Sequence, residues 1–79
     1  FPNPVNSSLN ITFENNKNQN ISISLIDILG KTTLHYSNKH FNKGKQYVQF
    51  DGSSLTSGLY FIRFSGDFGI VEQKLTVLK

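Results

Sequence analysis

Apolar and polar residues alternate with period two along most of this chain, the pattern of strands that set one face on a core and the other in water. Leu9, Ile11 and Phe13 share one face of a first strand, and Ile21, Ile23 and Leu25 one face of a second, with Asn15 to Asn20 as a polar turn between them. Ile26 and Ile28 break the parity around Asp27, which predicts a bulge or a strand end apolar on both faces, and a bend in the sheet. Gly30 is free to adopt positive φ, so Lys31 to Ser37 is expected to return as a hairpin partner with Leu34 and Tyr36 inward. Asn38 to Lys45 reads as a polar loop, after which Val48 and Phe50 resume the alternation and Asp51 to Ser54 turns the chain again.

Leu55 stands alone in a turn-rich stretch and is expected to plug the core beneath it. Ser57 and Gly58 lead into a strand from Leu59 to Ser65, with Tyr60, Ile62 and Phe64 on one face and Arg63 on the other. After the turn at Gly66 to Gly69, the last strand runs from Ile70 to Leu78 with Val71, Leu75 and Val77 inward; Gln73 shares their parity, so that end is expected to be partly open. Six or seven short strands at about ten-residue spacing, with no helix between them, predict an all-β fold: a sandwich of two antiparallel sheets with Greek-key topology. The Leu55, Gly58, Tyr60 spacing resembles the tyrosine corner of immunoglobulin-like folds, in which the ring packs inward and the hydroxyl reaches a backbone group across a turn.

Composition supports the same class. The chain has 79 residues, enough for one core, and lacks Ala, Met and Trp, while β-branched and aromatic residues fill the strands and Asn, Ser and Gly the turns. There is no cysteine, so neither a disulfide nor a thiolate metal site holds the fold, and stability must come from the core and the sheet ladders. The net charge of +3 is spread over scattered lysines without the interleaved aromatic and basic residues of a nucleic-acid platform, so no nucleic-acid partner is expected. No apolar run approaches the length of a membrane span. No basic start followed by an apolar stretch resembles a signal peptide, so any such address is expected outside these residues.

Candidate chemistry is sparse. The acids are Glu14, Asp27, Asp51, Asp67 and Glu72, and no spacing among them suits paired-carboxylate hydrolysis. Asp27 and Asp51 sit where a carboxylate accepts backbone N–H bonds in a turn. His35 and His40 lack the companions of a metal motif and are expected on the surface. No serine lies in a nucleophile elbow. No enzyme activity, cofactor or small-molecule substrate is expected. Phe41, Phe61 and Phe68, by parity or loop position, are candidates for exposed rings, the feature an adhesive or carbohydrate-binding module would need.

Four segments in order then carry a resemblance. Phe1-Pro2-Asn3-Pro4-Val5-Asn6 with Leu9-Asn10-Ile11 opens the chain, Leu25-Ile26-Asp27-Ile28-Leu29-Gly30-Lys31 follows, then Ser54-Leu55-Thr56-Ser57-Gly58-Leu59-Tyr60-Phe61-Ile62, and Lys74-Leu75-Thr76-Val77 comes last. Over its whole length the chain resembles the type A C-terminal sorting domain of proteins exported by the type IX, or Por, secretion system of the Bacteroidota. The resemblance implies an immunoglobulin-like sandwich without chemistry of its own, fused behind a passenger protein. It implies as partners the secretion translocon, an outer-membrane shuttle and a sortase-like protease, and as destination the cell surface or the medium, by way of the periplasm and outer membrane. Residues 1–7 are then a linker and leading segment, and residues 1–79 one sorting domain. The expected recognition residues are Asp27, Gly30, Lys31, Gly58, Tyr60, Lys74, Val77 and Lys79. In that expectation Gly30 and Gly58 shape turns, Tyr60 anchors the core, and Lys74 and Lys79 supply charge.

Overall fold

The alternating segments form six strands: β1 (Ser8–Asn15), β2 (Gln19–Asp27), β3 (Thr32–Phe41), β4 (Gly44–Asp51), β5 (Gly58–Gly66) and β6 (Gly69–Val77). The structure, a computed structural model, describes residues 8–78. The expected opening segment Phe1 to Asn6, and Lys79, lie outside the described residues. All pairing is antiparallel, in a two-stranded sheet of order β1-β4 and a four-stranded sheet of order β3-β2-β5-β6.

The strand β4 returns to lie beside β1 after the β2–β3 hairpin has been placed in the other sheet, which is a Greek-key connection. With β1 and β4 as strands B and E, the larger sheet reads C′-C-F-G, the immunoglobulin-like arrangement. Aromatic contacts fix how the sheets stack. The ring of Phe13 on β1 lies 5.2 Å from Phe64 on β5 and 5.3 Å from Phe41 on β3, while Tyr36 on β3 lies 4.6 Å from Phe50 on β4. The small sheet therefore covers β3, β2 and β5, while on β6 Leu75 and Val77 pack against the core and Val71 is exposed.

The core contains Ile21, Ile23, Leu25, Val48, Phe50, Tyr60 and Ile62, as the alternation predicts, with Leu9, Ile11, Phe13, Leu34, Tyr36 and Phe64 packed against it. Leu55 is buried beneath the turn it was expected to plug. Each such side chain contributes about 1.5–3 kcal/mol by leaving water.

Four expectations need correction. The stretch from Asn38 to Lys45 is no loop: β3 continues to Phe41, and only Asn42 and Lys43 separate it from β4. Ile21 pairs with Lys39 but Ile23 with Tyr36, so β3 holds one extra residue there, and Asn38 takes a φ of 51°. That bulge reverses the parity of β3, so Phe41 turns inward and is only 4% exposed. Phe41 is therefore no surface ring.

The turn expected over Asn15 to Asn20 shrinks to residues 16–18, and Asn15 and Gln19 are buried. Asn15 Nδ2 donates to the carbonyls of Phe41 and Asn42 at 3.2 and 2.9 Å, and Gln19 Nε2 donates to Asn15 Oδ1 at 2.8 Å. Val71 keeps its inward parity opposite Phe64 yet is 53% exposed, unlike Leu75 and Val77 further along β6, which pack against the core. The parity break around Asp27, by contrast, is borne out: β2 ends apolar on both faces, with Leu25 inward and Ile26 buried on the outer face, and the accompanying register shift puts the extra residue, Thr33, on β3. Ile28 has left the strand and is exposed.

Candidate recognition surface

Chain direction sorts the connections to two ends of the sandwich. The β1–β2, β3–β4 and β5–β6 turns lie at one end, and the β2–β3 turn, the β4–β5 link and the end of β6 at the other. The first end is stitched by polar groups. Asn18 Oδ1 accepts from Lys43 N at 2.7 Å, Lys17 Nζ is 3.8 Å from an Asp67 oxygen, and the Asn15–Gln19 pair closes the interior there.

The second end gathers the residues singled out from sequence. Asp27 lies opposite Tyr60, Tyr60 opposite Leu75, Phe61 opposite Lys74, and Gly58 opposite Val77. Gly30 and Lys31 complete the turn that leaves Asp27. Seven of the eight thus sit on adjacent strands or on the turn they bear; Lys79 lies outside the described residues.

Their local roles differ. The Asp27 carboxylate accepts from Leu29 N at 3.0 Å and Lys31 N at 2.9 Å, while Gly30 N donates to Asp27 O at 3.0 Å. A φ of +87° at Gly30 makes this turn possible, in the region L side chains rarely enter. Gly58, by contrast, does not take positive φ, and a Cβ there would meet nothing within 4 Å. Its expected turn-shaping role is not carried by backbone strain or by close packing.

Tyr60 is 5% exposed, and its hydroxyl donates to Thr56 O at 2.8 Å. Start of the fifth strand, inward ring, backbone carbonyl upstream: this is a tyrosine corner. Tyr60 therefore holds the β4–β5 link in place and offers little surface. Asp51 caps the same link by accepting from Ser53 N at 3.0 Å, and Leu55 N donates to Gly52 O at 3.0 Å. Lys31 and Lys74 are exposed, and Val77 is half-buried against the core.

At this end the sequence reading names Phe61 as a candidate exposed ring but passes over Ile28, Leu29, Leu59 and Leu78. Ile28 is 66% exposed, Leu29 88% and Leu78 85%, with Leu59 and Phe61 beside them on the outer face of β5. The signal was the parity break at Ile28, read there as a property of the strand.

Among the described residues, no group of three or more His, Asp and Glu side chains is placed to hold a metal ion. His35 and His40 are exposed and bonded to neighbours, His35 Nδ1 lying 2.7 Å from Ser24 Oγ and His40 Nδ1 3.1 Å from Asn20 Oδ1.

Comparison with known families gives one match: the secretion system C-terminal sorting domain, over residues 1–78. The chain belongs to that family. A search of curated proteins and a search of solved structures found no match. Membership makes the chain a C-terminal sorting signal for type IX secretion, one that engages the type IX machinery and leads to the cell surface or to secretion. Domains of this family are non-catalytic in general.

Proposed function

We propose that this sorting domain is the address of a passenger protein fused upstream, carried from the periplasm across the outer membrane by the translocon and an outer-membrane shuttle. A sortase-like protease then cuts in the linker near or before Phe1 and attaches the passenger to the cell surface. The family match over nearly the whole chain carries this reading. A folded domain suits the task, because stapled turns on a sandwich present a fixed shape that binds without an ordering cost.

The read surface in this proposal is the end of the four-stranded sheet that holds Asp27, Gly30, Lys31, Gly58, Lys74 and Val77, with Tyr60 beneath it as a positioning residue. Two observations support the choice. The motif residues lie on adjacent strands there, and the end stitched by Asn15, Gln19 and Lys43 bears none of them.

The test fuses residues 1–79 to a periplasm-directed fluorescent reporter in a host that has the type IX machinery. Deletion of residues 74–79 and the double substitution Lys31→Ser, Lys74→Ser are compared with the unaltered fusion. The deletion strips β6 from Phe61 to Gly58, so only the double substitution separates recognition from folding. Both are expected to retain the reporter in the periplasm. Export of both at the unaltered level would exclude this end of the sheet as the surface that is read.

A further inference from the structure

Four of the eight large apolar residues that are exposed among the described residues lie at one end of the molecule: Ile28, Leu29, Leu59 and Leu78. The strand ends that carry them are neighbours in one sheet. Asp27 is the last residue of β2 and faces Tyr60, so Ile28 follows beside Leu59; Val77 faces Gly58, so Leu78 follows on the far side of β5. The ends of β2 and β6 are about 10 Å apart, two interstrand spacings.

Folding does not demand these exposed apolar residues. None of the four belongs to the core or packs against it. Turn positions favour Asn, Asp, Gly and Ser, and at the opposite end of the sandwich the β1–β2 and β3–β4 turns follow that rule with Asn16, Asn18 and Asn42, while the β5–β6 turn holds the exposed ring of Phe68 beside Asp67. Ile28 and Leu29 instead occupy the tip of the most firmly stapled turn, where the Asp27 carboxylate and carbonyl hold the backbone N–H groups of Leu29, Gly30 and Lys31. Holding two apolar side chains in water on a fixed loop is what a preorganised binding tip requires.

Cations flank these residues on both sides. Lys31 stands at the β3 side, and Lys74 faces Phe61 on the outer face of β6. Lys17 and Arg63 have carboxylate partners, Asp67 and Glu72, whereas Lys31 and Lys74, like Lys39, Lys43 and Lys45 elsewhere, have none among the described residues.

We infer that Ile28 and Leu29 are the contact group of the sorting signal: they enter an apolar pocket on a protein of the export apparatus, and carboxylates at the rim of that pocket meet Lys31 and Lys74. This rests on the export-signal reading and gives its partner a chemistry. Asp27 and Gly30 are then positioning residues, which hold the tip in shape and are not themselves read. The convex, stapled tip favours a protein pocket over a lipid surface, because interfacial anchoring draws on aromatic rings and larger cationic clusters than two lysines provide.

The experiment uses the reporter fusion with Ile28→Ser, Leu29→Asn. Both replacements suit an exposed turn, and circular dichroism and thermal melting of the same fusion are expected to stay unchanged. Export is expected to fall about tenfold or more, the loss produced by truncating one hot-spot side chain. A photo-crosslinking residue at position 29 is expected to trap a discrete protein adduct in the envelope, and one at position 47, on the outer face of the small sheet, is not.

Full export of the folded double variant, with the unaltered fusion exported, overturns the inference and leaves the sorting role intact. Failure of the unaltered fusion to leave the periplasm counts against the sorting role itself. Co-sedimentation of the unaltered fusion with phosphatidylglycerol vesicles, abolished by the double variant, would make the occupant a membrane and overturn the protein pocket.

Discussion

Two glycines that look equivalent in sequence have different physical duties. Gly30 has a φ of +87°, where a Cβ strains the backbone, and the turn it permits is held by three hydrogen bonds to Asp27. Gly58 has neither positive φ nor a close neighbour. Gly30→Ala is therefore expected to cost about 1–2 kcal/mol in urea unfolding, and Gly58→Ala to change stability by less than about 0.5 kcal/mol. An equal loss in the two variants would contradict this assignment. The same scale shows what local pattern can reveal. Asp27 and Asp51 accept backbone N–H groups as their turn positions imply, and the Tyr60 hydroxyl reaches across its corner to Thr56. Each partner lies within a few residues. Asn15 and Gln19 could not be read that way, because the carbonyls that satisfy Asn15 belong to Phe41 and Asn42, far along the chain.

At the scale of strands, position within the sheet outweighs alternation. Strands β2 and β5 are central and covered by the small sheet, so Ile23, Leu25 and Ile62 on them are buried. Strand β6 is an edge whose inner face packs against the core at Leu75 and Val77 but opens at Val71, where a groove of 390 Å³ runs between Phe13, Phe64, Phe68 and Val71. Ile62→Ala is accordingly expected to cost about 2–5 kcal/mol, and Val71→Thr less than about 1 kcal/mol, although both are apolar and share a parity. Denaturant midpoints of the two variants decide it; comparable losses would mean that β6 is covered at Val71 in solution. Arg63 and Glu72 face each other across β5 and β6, with Arg63 Nε 2.6 Å from Glu72 Oε2, but both side chains are over two-fifths exposed. The pair adds at most about 1 kcal/mol. Five of the six strands were legible from alternation. The sixth, β3, was seen only to Ser37, because the bulge at Asn38 shifts its period and hides Phe41 among polar neighbours.

For the whole molecule, topology governs how the chain finds its structure. Ser8 pairs with Asp51, and Ser22 with Ser65, so both sheets depend on contacts between distant parts of the sequence. Such pairings close long loops before they are rewarded, and folding is expected on the millisecond-to-second scale in stopped-flow fluorescence. Complete folding within tens of microseconds would show that local hairpins alone decide the rate. Three things followed from the sequence by itself: the strand class, most of the inward residues, and the family, whose motifs are short and local. Periodicity and turn chemistry act between near neighbours, so they leave a readable trace. The tertiary structure alone decided which strands are covered, where the bulges fall, and that the motif residues lie together beside the exposed apolar residues Ile28, Leu29, Leu59 and Leu78. These depend on which strand lies beside or above which, and no residue carries that information about a neighbour forty positions away.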